Sequence, residues 1–199
     1  MSDQLPRGVT REKLWDLPLR LFHWALAICV GAAWGLGKFG PNIMTLHFYF
    51  GYTVIALLVF RVVWGLAGPA PARFVHFIYG PATTGRYLSH LFERKPSYWP
   101  GHNPLGALSV FALLIVLILQ VTTGLVSDPD DYVNVGPLAD MVSSDTVRSA
   151  TSLHNRLAPV ILILVVLHLA AIAFYKRYKG ENLVLPMITG WKLVRRDRP

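Results

Sequence analysis

Charge is scarce in this chain. Of its 199 residues only 15% are charged, 53% are hydrophobic, and the mean hydropathy is +0.43. Soluble domains carry roughly 25% charged residues, so a disordered chain and a soluble nucleic-acid binder are excluded. Cysteine is scarcer still: Cys29 stands alone. One thiol makes no internal disulfide, which excludes a secreted disulfide scaffold. It also supplies no CxxCH motif, which excludes a covalently attached c-type haem. Internal repeats and low-complexity tracts are absent. What remains is a length suited to one compact domain and a net charge of +8, whose distribution along the chain needs a reason.

Four apolar runs reach the ~20 residues that a bilayer crossing requires. They are residues 17–36, 46–66, 105–126 and 153–175. Hydrocarbon offers the backbone no hydrogen-bonding partner, so such runs must be helical. The expected fold is therefore an all-α integral membrane protein, a single domain over 1–199 built as a four-helix transmembrane bundle. Asn103-Pro104 reads as an N-cap followed by proline at the first helical position. Gly31 and Gly35 form a GxxxG pair that permits close approach of a neighbouring helix or flat ligand, and Pro159 is expected to bend the fourth span slightly. The segment 83–92 between the second and third spans reads as a short interfacial helix.

Lysine and arginine set the orientation. Arg7, Arg11, Lys13 and Arg20 precede or open the first span; Arg73, Arg86, Arg94 and Lys95 lie in the connection 68–103. Lys176, Arg177, Lys179, Lys192, Arg195, Arg196 and Arg198 follow the fourth span. Four spans put these three segments on one side, against Lys38, Arg148 and Arg156 on the other. The positive-inside bias makes both termini cytoplasmic, in a multi-pass membrane protein. It accounts for the charge without nucleic acid; membrane lipid is the expected surrounding. The first span is read as permanent, since cleavage near Ala32-Ala33 would spoil the asymmetry.

Ionisable side chains inside spans are costly and usually functional. Four of the seven histidines fall there: His23, His47, His154 and His168. Span direction places His23 near the cytoplasmic side and His47 and His154 near the outer side. His168 follows His154 by fourteen residues, roughly 21 Å at 1.5 Å per residue and close to four turns, on the same helix face. The four histidines thus make two layers of two, His23 with His168 and His47 with His154. Each layer offers two axial nitrogens from different helices, the ligand set of a six-coordinate, non-covalent haem b. Interhelical hydrogen bonding or zinc binding is the plainer alternative. Arg61 lies fourteen residues after His47 and Arg20 three before His23, so both share a face with a histidine and suit cofactor propionates; Arg156 suits them on the outer side. Snorkelling to lipid phosphates is the competing role. His76, His90 and His102 read as solvated, the tryptophans near span ends as interface anchors, and Gly51 and Gly124 as room for a porphyrin face.

The segments RLFHW at 20–24, LHFYFGY at 46–52, GHNPLGALS at 101–109, SLHNRLAPVILILVVLH at 152–168 and ENLVLPMITG at 181–190 resemble the prokaryotic cytochrome b561 family. More distantly they are similar to b-type cytochrome subunits of nickel–iron hydrogenases. The resemblance runs from Trp15 to about Gly190. It implies a four-helix bundle in a bacterial inner membrane holding two b haems, His23 with His168 and His47 with His154, passing electrons between membrane quinone and a partner. Ubiquinone is then a further ligand. The partner is a periplasmic c-type cytochrome or other redox protein, a hydrogenase or dehydrogenase in some branches, and superoxide in the branch that acts as superoxide:ubiquinone oxidoreductase. No catalytic residue is assigned. The outer connection 127–152 carries Asp128, Asp130, Asp131, Asp140 and Asp145 against Arg148, a charge near −4. That charge repels an anion and attracts a basic protein, which favours a cytochrome over superoxide. A cationic pocket from Lys38 and Arg156 is the arrangement that would favour superoxide.

Overall fold

A computed structural model of the chain describes residue 6 and residues 8–40, 44–129 and 134–195. Arg7, Asp130, Asp131, Arg196 and Arg198, which entered the charge argument, lie outside the described residues. The elements run β1 (Val9–Lys13), α1 (Leu17–Phe39), α2 (Met44–Ala67), α3 (Pro81–Ser89), α4 (Pro104–Val126), α5 (Ser144–Tyr178), α6 (Val184–Thr189) and β2 (Trp191–Arg195), with short 3-10 turns between. Helices α1, α2, α4 and α5 are each long and apolar enough to cross a membrane. Their outward residues match that medium: Ile28, Val59, Ile163 and Leu169 are more than half exposed, as lipid-facing side chains are.

Three helix starts have visible causes. Gly106 N–H donates to Asn103 Oδ1 at 2.8 Å and Ala107 N–H to the Asn103 carbonyl at 2.8 Å, so Asn103 caps α4 ahead of Pro104. Helix α3 begins at Pro81, slightly before the expected segment. Helix α5 begins well before the expected 153, because Ser143 caps it: its Oγ accepts from Thr146 N–H at 3.3 Å and its carbonyl from Val147 N–H at 3.0 Å. Asp145 in the first turn suits the positive helix end. Those early turns are polar, so hydropathy alone misses them. The helix runs on through Pro159.

The chain divides into two compact units, 22–61 with 111–166, and the described residues among 1–21, 62–110 and 167–199. In the first, portions of α1, α2, α4 and α5 pack around Cys29, Val54, Leu58, Leu117 and Ile161, one apolar residue or two from each helix. Gly31 and Gly35 face open space, so among the described residues no neighbouring helix packs against them. The segment after α4 folds back onto it: Gly136 N–H bonds the Ser127 carbonyl and Leu138 N–H the Leu125 carbonyl, satisfying helix-end acceptors.

The second unit holds the feature that an all-α expectation missed. Strands β1 and β2 pair antiparallel, Val9 opposite Arg195 through Lys13 opposite Trp191. Gly190, left-handed at φ 87°, ends α6, and its carbonyl accepts from Leu14 and Trp15 N–H. A Cβ at Gly190 would lie 2.6 Å from the Trp15 carbonyl oxygen, so only glycine fits. Beneath the ribbon, Lys192 Nζ meets Glu181 Oε1 at 3.2 Å, both side chains 7% exposed. Glu181 also accepts from the Ser97 hydroxyl and N–H at 2.7 and 3.0 Å. His102 is not solvated: its ring lies 4.7 Å from Trp15 and 4.6 Å from Phe77. Trp15, 5% exposed, is a core residue of this unit and not an interface anchor.

Candidate functional site

His47 projects from the second turn of α2 and His154 from the third turn of α5. Their ring centroids lie 6.1 Å apart with planes at 79°. His47 Nδ1 lies 2.8 Å from the Ala33 carbonyl oxygen of α1. His154 Nδ1 lies 2.9 Å from the Gln120 carbonyl oxygen of α4. A carbonyl only accepts, so each Nδ1 carries the hydrogen and each Nε2 keeps its lone pair. That is the tautomer a metal-ligating imidazole needs, oriented by the partner it needs. At His154 the lone pair meets Gln120 Nε2 at 3.2 Å, a donor that a metal would displace.

Both histidines line a cavity of about 580 Å³. Val30, Val54, Leu117 and Ile161 give it apolar walls, while Lys38, Ser127, Asn134, Thr151 and Asn155 supply polar groups near the helix ends. Thr151 fixes part of this rim, its hydroxyl bonding Asp128 N–H at 2.9 Å. The arrangement fits a b haem. Two imidazoles ligating one metal from opposite sides, at about 2.0–2.1 Å each, have centroids roughly 6 Å apart. Among the described residues no group of three or more His, Cys, Asp and Glu gathers, whereas a protein zinc site uses three or four ligands. A pair suffices when a macrocycle supplies the other four nitrogens.

The remaining expected residues are placed as follows. His23 is half-buried on α1, edge-on to Trp24 at 5.3 Å, and His168 is half-buried on α5. They belong to different units, and their pairing is an expectation of the sequence. Arg61 is buried at 3% exposure on α2. Arg20 is engaged by backbone: it donates to the Ile188 carbonyl and, at 3.4 Å, to the Asp16 carbonyl, which ties α1 to α6. Arg156 is exposed and lines a shallow recess with Arg148, Ser149 and Ser152. Lys38 instead lines the cavity of His47 and His154. Sequence reasoning passed over Gln120, although a carboxamide within an apolar span is itself a signal.

The profile of the family described as "Prokaryotic cytochrome b561" matches residues 14–190. The "Probable Ni/Fe-hydrogenase B-type cytochrome subunit" of Azotobacter chroococcum mcd 1 is 23% identical over 226 residues, covering 97% of this chain and 93% of the relative. The protein of the same description from Rhizobium leguminosarum bv. viciae is 22% identical, covering 94% and 92%. The "Probable Ni/Fe-hydrogenase 1 B-type cytochrome subunit" of Escherichia coli (strain K12) is 21% identical over 161 residues, 68% of each chain. No solved structure matches. A family match over nearly the whole chain, four apolar helices and a cavity holding two imidazoles agree: the chain is a membrane b-type cytochrome and belongs to the prokaryotic cytochrome b561 family.

Proposed function

We propose that this cytochrome holds two b haems and carries electrons across a bacterial inner membrane between quinone and a redox protein on the outer side. His47 and His154 ligate one haem, and His23 and His168 the other. The observation that carries the reading is the His47–His154 pair, 6.1 Å apart with each Nδ1 on a main-chain carbonyl. Bound haem supplies a one-electron couple; the chain supplies ligation, spacing and a low dielectric. Its apolar helices keep water from the imidazoles, and the carbonyl bonds hold the rings in place before the cofactor arrives. Lys38 is the cation at the His47–His154 cavity suited to a propionate. Arg61 and Arg20 serve the propionates of the other haem, and Arg156 those on the outer side. The basic segments 9–20, 68–103 and 176–195 face the cytoplasm.

The acidic stretch with Asp128, Asp140 and Asp145 favours a basic protein partner such as a c-type cytochrome, and disfavours superoxide. A second reading rests on the comparisons: relatives of nearly the same length are described as probable hydrogenase cytochrome subunits, so the partner is then a hydrogenase. Purification in detergent, haem analysis and reduced-minus-oxidised spectra test the core reading. The expected result is two low-spin b haems per chain, one lost in both His47→Ala and His154→Ala and the other in His23→Ala. Protein without haem despite ample haem supply contradicts it. Salt-sensitive electron exchange with a basic cytochrome supports the first partner, and co-purification with a large iron–sulfur protein the second.

A further inference from the structure

The two imidazoles are seated by the same device on different helices. His47 bonds the carbonyl of Ala33, and the residue four further along α1 is Gly37. His154 bonds the carbonyl of Gln120, and the residue four further along α4 is Gly124. In an α-helix the carbonyl of residue i already accepts from the N–H of i+4. Its second lone pair opens sideways, under the side chain of that same i+4 residue, because helical side chains lean back over the preceding turn. A side chain at 37 or 124 would cover the acceptor that the imidazole uses.

The clearances agree. A Cβ at Gly124 would lie 2.9 Å from His154 Cε1 and 3.2 Å from Nδ1; a Cβ at Gly37 would lie 3.1 Å from both His47 Cε1 and Nδ1. Gly31, Gly35 and Gly51 on the same two membrane helices as Gly37 and His47 meet nothing within 4 Å. We infer that Gly37 and Gly124 are positioning residues that uncover the Ala33 and Gln120 carbonyls, seat the two imidazoles against the helix surface and fix their tautomers for ligation. This rests on the proposed ligation of one haem by His47 and His154. Gly124, which lines the cavity, is thus also room for the ligand.

The test uses full-length, haem-loaded protein carrying Gly124→Ala, Gly37→Ala and, as a control, Gly31→Ala. Optical and electron-paramagnetic-resonance spectra are taken, together with carbon monoxide binding to the reduced form. Gly124→Ala, with the shorter clearance, is expected to convert one haem of two to a high-spin form that binds carbon monoxide. The other haem stays low-spin and reports that the fold is intact. Gly37→Ala is expected to change the same haem less, shifting its potential and its low-spin signal; Gly31→Ala leaves both haems as in the parent. Should Gly124→Ala fail to accumulate, Gly37→Ala decides alone. Parental spectra and potentials in the alanine variants, with His154→Ala losing the haem, overturn the inference and spare the ligation. Parental spectra in His154→Ala overturn the ligation itself, and the inference with it.

Discussion

Gln120 plays two parts at once. Its main-chain carbonyl orients His154 through Nδ1, while its carboxamide occupies the Nε2 lone pair at 3.2 Å. Only the second part depends on the side chain. Gln120→Leu keeps the orienting bond and removes the competitor, so cofactor-free protein loses a hydrogen bond that cofactor-loaded protein does not make. One such bond is worth about 1 kcal/mol. Transfer of haem from this site to an excess of a haem acceptor should slow roughly fivefold; faster transfer would mean that the carboxamide helps hold the cofactor. At this scale the sequence was informative about identity and uninformative about neighbours. The depth and face of His47 and His154 follow from helix arithmetic. Which carbonyls they meet depends on α1 lying beside α2 and α4 beside α5, which spacing does not state. His102 misled for the same reason. A polar residue near a helix end looks solvated until a folded-back segment supplies Trp15 and Phe77.

Among the elements, the apolar helices were legible because hydrocarbon imposes length and composition, and the ends at Asn103 carried their own capping chemistry. The ribbon was not. Strands β1 and β2 are five residues each and lie at opposite ends of the chain, too short for an alternation pattern to stand out. Beside their backbone ladder and the buried Val9 and Val194, a buried ion pair lies against them. Burial alone pushes the Glu181 carboxyl up, but Lys192 and the two Ser97 bonds outweigh it and hold the group below its ordinary value of 4.5. A depressed carboxyl stabilises the fold fully above that ordinary value, and the contribution fades as pH falls through the lower folded value. Proteolytic access to 191–195 should therefore rise as pH drops below about 4.5, and Glu181→Gln should flatten that dependence. The same substitution leaves Lys192 buried without its counter-charge, a loss of about 3 kcal/mol, seen as ready cleavage of the C-terminal strand at neutral pH. Unchanged protection would assign the ribbon's stability to its backbone bonds alone.

For the whole molecule, the pairing of β1 with β2 requires both ends of the chain to lie on one side of the membrane, as four crossings demand. The basic segments choose the side. Reporters fused at each end should both register the cytoplasm, and opposite answers would refute the span count. With the proposed basic cytochrome as partner, the acidic connection between α4 and α5 would act by steering, so electron exchange should slow steeply with ionic strength; flat salt dependence would point to an uncharged or membrane-bound partner. If His47 and His154 hold one iron between them, as proposed, the angle between their rings gives it a signature. Two imidazoles ligating one iron in near-perpendicular planes, here 79°, would leave the iron d-orbitals nearly degenerate. The oxidised haem would then show one strong low-field resonance in place of a resolved rhombic triplet. Low-temperature electron paramagnetic resonance of the purified oxidised protein is the measurement. A single low-field feature that vanishes in His47→Ala and in His154→Ala is the predicted result; a spectrum unaffected by either substitution would contradict the account.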